Sequence, residues 1–454
     1  MSQREGNLEA PIRHPVDWKN PEFYEEDKCL QELGRIFDIC HGCRRCVSLC
    51  HAFPTLFDLV DATDDGEVHG VNKQDFWKVV DQCYLCDLCY MTKCPYVPPH
   101  AWNVDFPHTM LRAKAIKFRK GEVKAGERFL ASTDVHGQFA GIPIVVQAVN
   151  AIGKTKPARR AMQSTLGVDE NAWLPELATQ RFRWSAPKSA ATVVTNGERT
   201  PGKVAIFATC YVNYNEPGIG HDLLKVLAHN GIPYVLVEKE KCCGMPKLEL
   251  GDLDTVEKHK DANIPVLVKY AKEGYAILSA VPSCTLMFKQ ELPLMFPKDE
   301  DVKLVQDAMW DPFEYLVARS KDGLLKTDFK TALGKVSYHV PCHGRVQNIG
   351  RKTEEMFKII ARSVEVQINT VERCSGHAGT YGVKQPYHQI AMKIGKPVFK
   401  AMAKQDADGK GPDYISSDCA LAGHHIAQGM ANNQLPAAAL RHPLSLVRIA
   451  YGIE

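Results

Sequence analysis

Hydrophobic and polar positions change their rhythm near the middle of the chain. In the second half, residues 204–209 (VAIFAT), 234–238 (YVLVE) and 276–281 (AILSAV) are apolar runs too short for helices. Between them lie stretches with apolar residues at helical spacing, such as 221–231 (HDLLKVLAHNG) and 256–274 (VEKHKDANIPVLVKYAKEG). Short strands alternating with helices predict βαβ units around a parallel sheet. The first half lacks such runs, and residues 75–81 and the basic stretch after Pro107 read as helices instead. Residues 153–202 are rich in Ala, Pro, Thr and Arg and end in APKSAATVVTNGERTPGK, the composition of a linker or a loosely packed wrap.

The second half repeats itself. GKVAIFATC ends at Cys210 and GKVSYHVPC at Cys342, an offset of 132 residues that also carries Cys242-Cys243-Gly244 onto Cys374-Ser375-Gly376. Cys284 and Cys419 differ by 135, so the second copy has gained three residues. Landmarks in one order at nearly one offset predict two copies of one α/β unit. In each copy the first cysteine follows a predicted strand, where open α/β sheets place ligands.

No segment reaches the ~18 uninterrupted apolar residues of a membrane-spanning helix. Residues 139–152 (FAGIPIVVQAVNAI) come nearest and are broken by Pro143, Gln147 and Asn150. Just upstream, residues 111–130 carry seven basic and two acidic side chains. The plain expectation is a solvated basic helix followed by a buried core helix; the other is a contact with a membrane interface or a partner.

Composition is otherwise ordinary: 45% apolar, 24% charged and a formal charge of +3, which gives no reason to expect nucleic acid as partner. The 16 cysteines are the exception. They are too sparse for a disulfide scaffold, and the polar start MSQREGNLEAPIRHPVDW has no signal-peptide core. A cytoplasmic protein using thiols for metal or redox chemistry is expected. Gly218-x-Gly220 lacks the third glycine of a dinucleotide fingerprint, Leu223 standing in its place, and reads as a loop entering a helix.

Nine cysteines fall between Cys29 and Cys94. Cys40, Cys43, Cys46 and Cys50 form C-x2-C-x2-C-x3-C, and Cys83, Cys86, Cys89 and Cys94 form C-x2-C-x2-C-x4-C followed by Pro95. Three thiolates so spaced wrap one face of a cubane, and the fourth of each run ligates the opposite cluster. One [4Fe–4S] cluster is therefore expected on Cys40, Cys43, Cys46 and Cys94, and a second on Cys50, Cys83, Cys86 and Cys89. Zinc usually takes two separated C-x2-C pairs, a pattern that doubled runs of four do not match. His51 replaces the usual proline after Cys50, and 32 residues separate Cys50 from Cys83. That longer gap resembles the helical two-cluster ferredoxin domains of respiratory complexes. Cys29 fits neither run and reads as an ordinary buried thiol.

The pattern C-x31-CCG-x39-C from Cys210 to Cys284, with CCGMPKLELGD at its centre, resembles the cysteine-rich CCG domain. That domain occurs in heterodisulfide reductases, in the C subunit of anaerobic glycerol-3-phosphate dehydrogenases, and in glycolate and lactate oxidase iron–sulfur subunits. YHVPCHG, CSGHAGTYGVK, SDCALAGHHIAQGM and RHPLSLV resemble the second repeat of the glycerol-3-phosphate type. The resemblance implies a multidomain α plus α/β chain: a helical two-[4Fe–4S] ferredoxin-like domain over 1–130, a linking segment over 131–200, a first CCG repeat over 201–332 and a second, degenerate repeat over 333–454.

The family motif has five cysteines per repeat. Here the first repeat keeps Cys210, Cys242, Cys243 and Cys284, with Val281 at the missing place; the second keeps Cys342, Cys374 and Cys419, with Ser375 and Ser416 at the gaps. The resemblance implies a further iron–sulfur cluster, cubane or non-cubane, at the first repeat. At the second, an iron–sulfur cluster and zinc both remain open, with His339, His343, His377 or His425 available as a fourth ligand.

An electron-transfer subunit is the leading expectation, relaying electrons between a flavoprotein dehydrogenase or other redox partner and an acceptor. The resemblance also implies a quinone-linked or peripheral place at the inner face of the membrane. Two rival functions stand beside it: a thiol or disulfide oxidoreductase of the heterodisulfide-reductase kind, and an electron donor to a rubrerythrin-like di-iron protein. A zinc-bearing or metal-free scaffold is the remaining reading of the C-terminal half.

Overall fold

The computed structural model describes residues 10–92, 94–138 and 140–454. The start of the N-terminal polar stretch and Phe139, the first residue of the apolar segment, lie outside them.

The apolar runs of the second half become two four-stranded parallel sheets. β1 (Val204–Ile206), β2 (Tyr234–Leu236), β3 (Ala276–Leu278) and β4 (Met309–Trp310) are ordered β2-β1-β3-β4. β5 (Gly334–His339), β6 (Val366–Val371), β7 (Tyr414–Ser417) and β8 (Ala439–Leu440) are ordered β6-β5-β7-β8, the same topology. Val204 pairs with Tyr234 on one side and Ala276 on the other, as Val336 pairs with Ile368 and Tyr414. The first strand of each sheet thus sits between the next two, so the chain leaves it in opposite directions and opens a crevice at the strands' C-terminal ends. All seven cysteines of this half follow β1, β2, β3, β5, β6 or β7 in sequence.

The expected intervening helices appear as Pro217–His229 and Leu253–Lys272. Gly218 and Gly220 lie inside the first of these, and a Cβ on Gly220 would meet the Phe182 ring at 2.6 Å. Close packing, not a phosphate, accounts for that glycine. Leu223, Leu227, Val336, Tyr338, Phe357 and Leu446 belong to one core, which joins the two repeats.

The N-terminal region is helical: α1 (Glu26–Cys43), α2 (Ala52–Asp61), α3 (Phe76–Gln82), α4 (Leu88–Thr92) and α5 (Phe106–Arg119). Leu30, Leu33, Ile36 and Phe37 make α1's buried stripe at helical spacing. Phe37, Phe53, Phe76 and Phe106 then lock the helices together, with ring centroids 4.8–6.1 Å apart. The same core continues into Phe207, Met245 and Leu248 of the first repeat. Gly251 permits this contact, because a Cβ there would lie 2.5 Å from the α5 backbone at Lys114.

The basic and apolar stretches exchange the places expected for them. The stretch 111–130 is not one solvated helix: α5 ends at Arg119 and α6 (Ala125–Leu130) follows. α5 buries Met110, Leu111, Ala113, Ala115 and Ile116, while Arg112 donates to the Phe23 and Glu22 carbonyls and Lys117 pairs with Asp81 at 2.6 Å. The apolar helix Pro143–Gly153 buries only Val146, and Ile144 and Ile152 are 83% and 60% exposed. Amphipathic lysine and arginine stems can line a core when their heads find partners, and α5 supplies those partners.

After α6 come four short helices, Thr133–Gly137, Pro143–Gly153, Lys156–Leu166 and Phe182–Ser185, and the segment that carries them touches both repeats. Gly137 packs so closely on the first repeat that a Cβ would strike the Tyr214 ring. Trp173 stacks on His424 of the second at 4.1 Å.

Candidate metal centres

The eight cysteines of the two N-terminal runs collect at the ends of α1 to α4. α1 stops just after Cys43 because Arg44 turns left-handed at φ 50°, which redirects the chain toward Cys46. Leu85 and Asp87, at φ 53° and 60°, curl the second run in the same way. Cys40, Cys43, Cys46 and Cys94 line one small cavity with Ile39, Phe53 and Pro95. Burial, then the neighbouring Cys94, Cys46 and Cys43 thiols, pushes the Cys40 thiol well above its usual range. Cys50 stands instead with the other run: burial, then the neighbouring Cys83 thiol, pushes the Cys50 thiol up, and Cys89 has Cys86, Cys46, Cys83 and Cys50 around it. Cys29 is fully buried in α1, and burial raises its thiol to about 11.

In the first repeat Cys210 opens the helix Cys210–Tyr214 after β1, and Cys284 lies in the helix Pro282–Leu286 after β3. Cys242 and Cys243 occupy the turn before Met245–Leu250. These four thiols contact one another in a chain. Bonds from Cys210 and Cys243 hold the Cys242 thiol well below its usual range. Cys243 is driven up by Cys242 and Cys284. Two groups clamp the turn: Asp134 accepts from the Cys242 N–H at 3.1 Å, and Asn263 bonds the Lys241 N–H and the Cys242 carbonyl. Thr133 sits beside Cys210 and Cys242. Glu240, two residues upstream, accepts from the Ala208 N–H at 2.9 Å, and burial raises its carboxyl to about 7.

The second repeat brings Cys342 next to Cys374 and Cys419. Burial lifts all three thiols, Cys419 to about 11. The turn after Cys374 needs glycine, since Gly376 has φ 85° and a Cβ would meet the Ala391 carbonyl at 2.1 Å. The candidate histidines divide. His339 has both ring nitrogens engaged, with Ser417 Oγ at 3.1 Å and the Arg373 carbonyl at 2.9 Å, so it is a structural hydrogen bonder. His343 Nδ1 is bonded to Ser283 Oγ at 2.7 Å, and the charges that face the ring are Asp87 and Glu291. His377 and His425 face one another at 5.6 Å, each with a buried, unpartnered Nε2. Ser416 Oγ is likewise buried without a partner, at a position where the family motif has cysteine.

Among the described residues, no group of three or more His, Cys, Asp or Glu side chains is arranged to hold a single metal ion. The donor sets are nevertheless all-thiol, partly or fully buried, and gathered in the N-terminal region and the first repeat, which suits iron–sulfur clusters, whose cores are larger than one ion.

Several neighbours of these cysteines carry no local signal in the sequence. Tyr84 Oη lies 3.1 Å from Cys374 Sγ, across 290 residues of chain. Glu249, from the first repeat, stands near Cys342 and Cys419 of the second, and burial raises it to about 7. Arg13 is buried among Asp87, Asp105 and Glu291 and lies over the Tyr90 ring at 4.7 Å. Only a contact map joins such distant positions.

Similarity to known proteins falls on these same elements. The cysteine-rich domain (CCG) profile matches residues 204–289 and 336–426, the two sheets with their cysteine turns. The chain carries two copies of this domain. It is 28% identical over 298 residues to the C subunit of anaerobic glycerol-3-phosphate dehydrogenase from Escherichia coli, covering 64% of this chain and 69% of that one. It is 26% identical over 257 residues to the B subunit of fumarate reductase (CoM/CoB) from Methanothermobacter marburgensis, covering 56% and 48%. Lactate utilization protein A of Bacillus pumilus matches at 26% over 226 residues, 48% of this chain and 87% of its own.

Proposed function

We propose that this protein is an iron–sulfur electron-transfer subunit that passes electrons between a redox protein partner and an acceptor. One observation carries the reading: the N-terminal cysteine groups and the second repeat's cysteines are contiguous, with Cys50 and Cys86 beside Cys374 and Cys342. A relay needs its stations adjacent. Cys40, Cys43, Cys46 and Cys94 would hold one [4Fe–4S] cluster, and Cys50, Cys83, Cys86 and Cys89 another. Cys210, Cys242, Cys243 and Cys284 would hold a third centre, and Cys342, Cys374 and Cys419 a fourth of lower thiolate count. Such clusters, when bound, supply one-electron transfer over potentials of roughly −700 to +450 mV. The chain's own part is to bury the sulfurs, orient hydrogen bonds toward them and exclude water. The relatives from E. coli and M. marburgensis are by name subunits of a dehydrogenase and a reductase, which supports a redox partner here.

Metal analysis tests the reading. Anaerobically purified protein should carry clearly more than about eight irons per chain, since two cubanes account for about eight and a further cubane adds about four. Cys284→Ser should remove the first-repeat signal from low-temperature EPR and spare the rest. Eight irons with stoichiometric zinc would confine electron transfer to the N-terminal region.

We also place the docking surface on the helix Pro143–Gly153, not on the basic stretch. No helix among the described residues is long and apolar enough to cross a membrane. Ile144, Val149 and Ile152 of this helix and Ile142 just before it are exposed, the exposed Trp184 ring packs beside Gly141, and exposed Lys154, Lys156 and Arg160 follow the helix. An apolar helical face bordered by cations and a tryptophan suits the headgroup boundary of an anionic bilayer. The intact protein should float with vesicles containing anionic lipid, and the double variant Ile144→Glu/Ile152→Glu should stay in the pellet fraction. Equal flotation of the two would remove this face from the docking role.

A further inference from the structure

We propose that the Tyr84 hydroxyl tunes the second repeat's metal centre from the N-terminal region, making the degenerate repeat the station directly joined to the N-terminal clusters. The inference rests on the relay reading above. Tyr84 lies between Cys83 and Cys86, inside the second cysteine run, and is 6% exposed. Its hydroxyl faces the Cys86 and Cys50 thiols as well as Cys374. Tyr84 Oη reaches Cys374 Sγ at 3.1 Å. The same sulfur accepts from the Gly376 N–H at 3.3 Å. A cysteine bound to metal is a thiolate and has no proton to give, so in the loaded protein both contacts run one way, from Tyr84 O–H and Gly376 N–H onto the sulfur.

Hydrogen bonds to ligating sulfurs stabilise the more negative, reduced state of a cluster and raise its potential. Tyr84 therefore supplies one of two donors that set the potential of the centre built on Cys374. Because it sits two residues from Cys86, it also ties the position of that donor to the neighbouring N-terminal site. The first repeat is arranged otherwise: its four thiols bond one another and take Asp134 and Thr133 from the segment over them. The repeat with fewer cysteines is the one whose sulfur is held by the N-terminal run.

Neighbouring tyrosines provide an internal control. Tyr381 packs on Tyr84 with centroids 5.0 Å apart, and its hydroxyl donates to Gln82 Oε1 at 2.7 Å, not to sulfur. Removing either hydroxyl keeps a ring of the same shape in the same layer.

The experiment is an EPR-monitored redox titration of the full-length, cluster-loaded protein as wild type, Tyr84→Phe, Tyr381→Phe and Cys374→Ser. The Cys374→Ser variant identifies which signal belongs to the second repeat. Tyr84→Phe should shift the midpoint of that signal to more negative potential, with iron content unchanged and the Cys40-set signal in place. Tyr381→Phe should leave it where it was. An unmoved midpoint in Tyr84→Phe, or equal shifts in both tyrosine variants, overturns the assignment. If Cys374→Ser removes neither iron nor any signal, the relay reading fails at the second repeat, and the role of Tyr84 falls with it.

Discussion

On the proposed cluster assignment, Cys50→Ser should cost the protein the cluster of the other cysteine run. Cys50 closes the first run in sequence, yet it stands with Cys83, Cys86 and Cys89, while Cys94, which closes the second run, stands with Cys40, Cys43 and Cys46. The expected loss is about four irons per chain, the content of one cubane. The spectrum of Cys50→Ser should match that of Cys83→Ser, and the spectrum of Cys94→Ser should match that of Cys43→Ser. Matching in the order of the sequence instead, Cys50 with Cys43, would sink the crossed assignment. A serine alcohol binds iron far less well than a thiolate, so the effect should be close to complete loss and not a change of potential.

Arg13→Ala should be the most destabilising substitution outside the cysteines. The guanidinium pairs with Asp87, with Asp105 at 3.0 Å and with Glu291 at 3.7 Å, and all three acids are largely buried. Removing one partner of a buried ionic group leaves uncompensated charge and costs about 3–5 kcal/mol, a large part of a typical protein's total stability. His108, 3.3 Å from Asp105 and 3.4 Å from Glu291, is the remaining counter-group. The network joins four parts of the chain: the segment around Arg13, the Cys86-to-Cys89 turn through Asp87, the start of α5 through Asp105, and the first repeat through Glu291. Urea denaturation should show the loss directly, and an effect below about 1 kcal/mol, the worth of an exposed pair, would contradict a buried role.

The pH dependence of the same network has a definite sign. Burial acts to raise the Asp105 carboxyl, but His108 and Arg13 outweigh it and bring it down to about 2. A depressed carboxylate stabilises the fold above its unfolded pKa of about 4, and that contribution disappears as pH falls through the folded value. In Arg13→Ala the remaining contribution of Asp105 should already fade at a higher pH.

Much of this protein was legible in its sequence, for a physical reason that concerns short distances along the chain. A C-x2-C turn brings its sulfurs together within a few residues, so the runs at Cys40–Cys50 and Cys83–Cys94 declare their chemistry locally. A buried strand followed by a helix has its own apolar rhythm, so VAIFAT and GKVSYH announced β1 and β5, and the offset of 132 announced the repeat. Each of these signals is carried by neighbours in the chain.

Tertiary structure alone decided which surfaces meet. The apolar helix Pro143–Gly153 was expected inside and lies outside, because α5 fills the core with Met110, Leu111 and Ile116 while its cations find partners. Tyr84 on Cys374, Glu249 beside the other repeat's cysteines and Arg13 among three acids join positions up to 290 residues apart. Composition and periodicity report what a segment can bury, but not against whom. That choice belongs to the packing of the whole chain, where each contact depends on which other faces have already been covered.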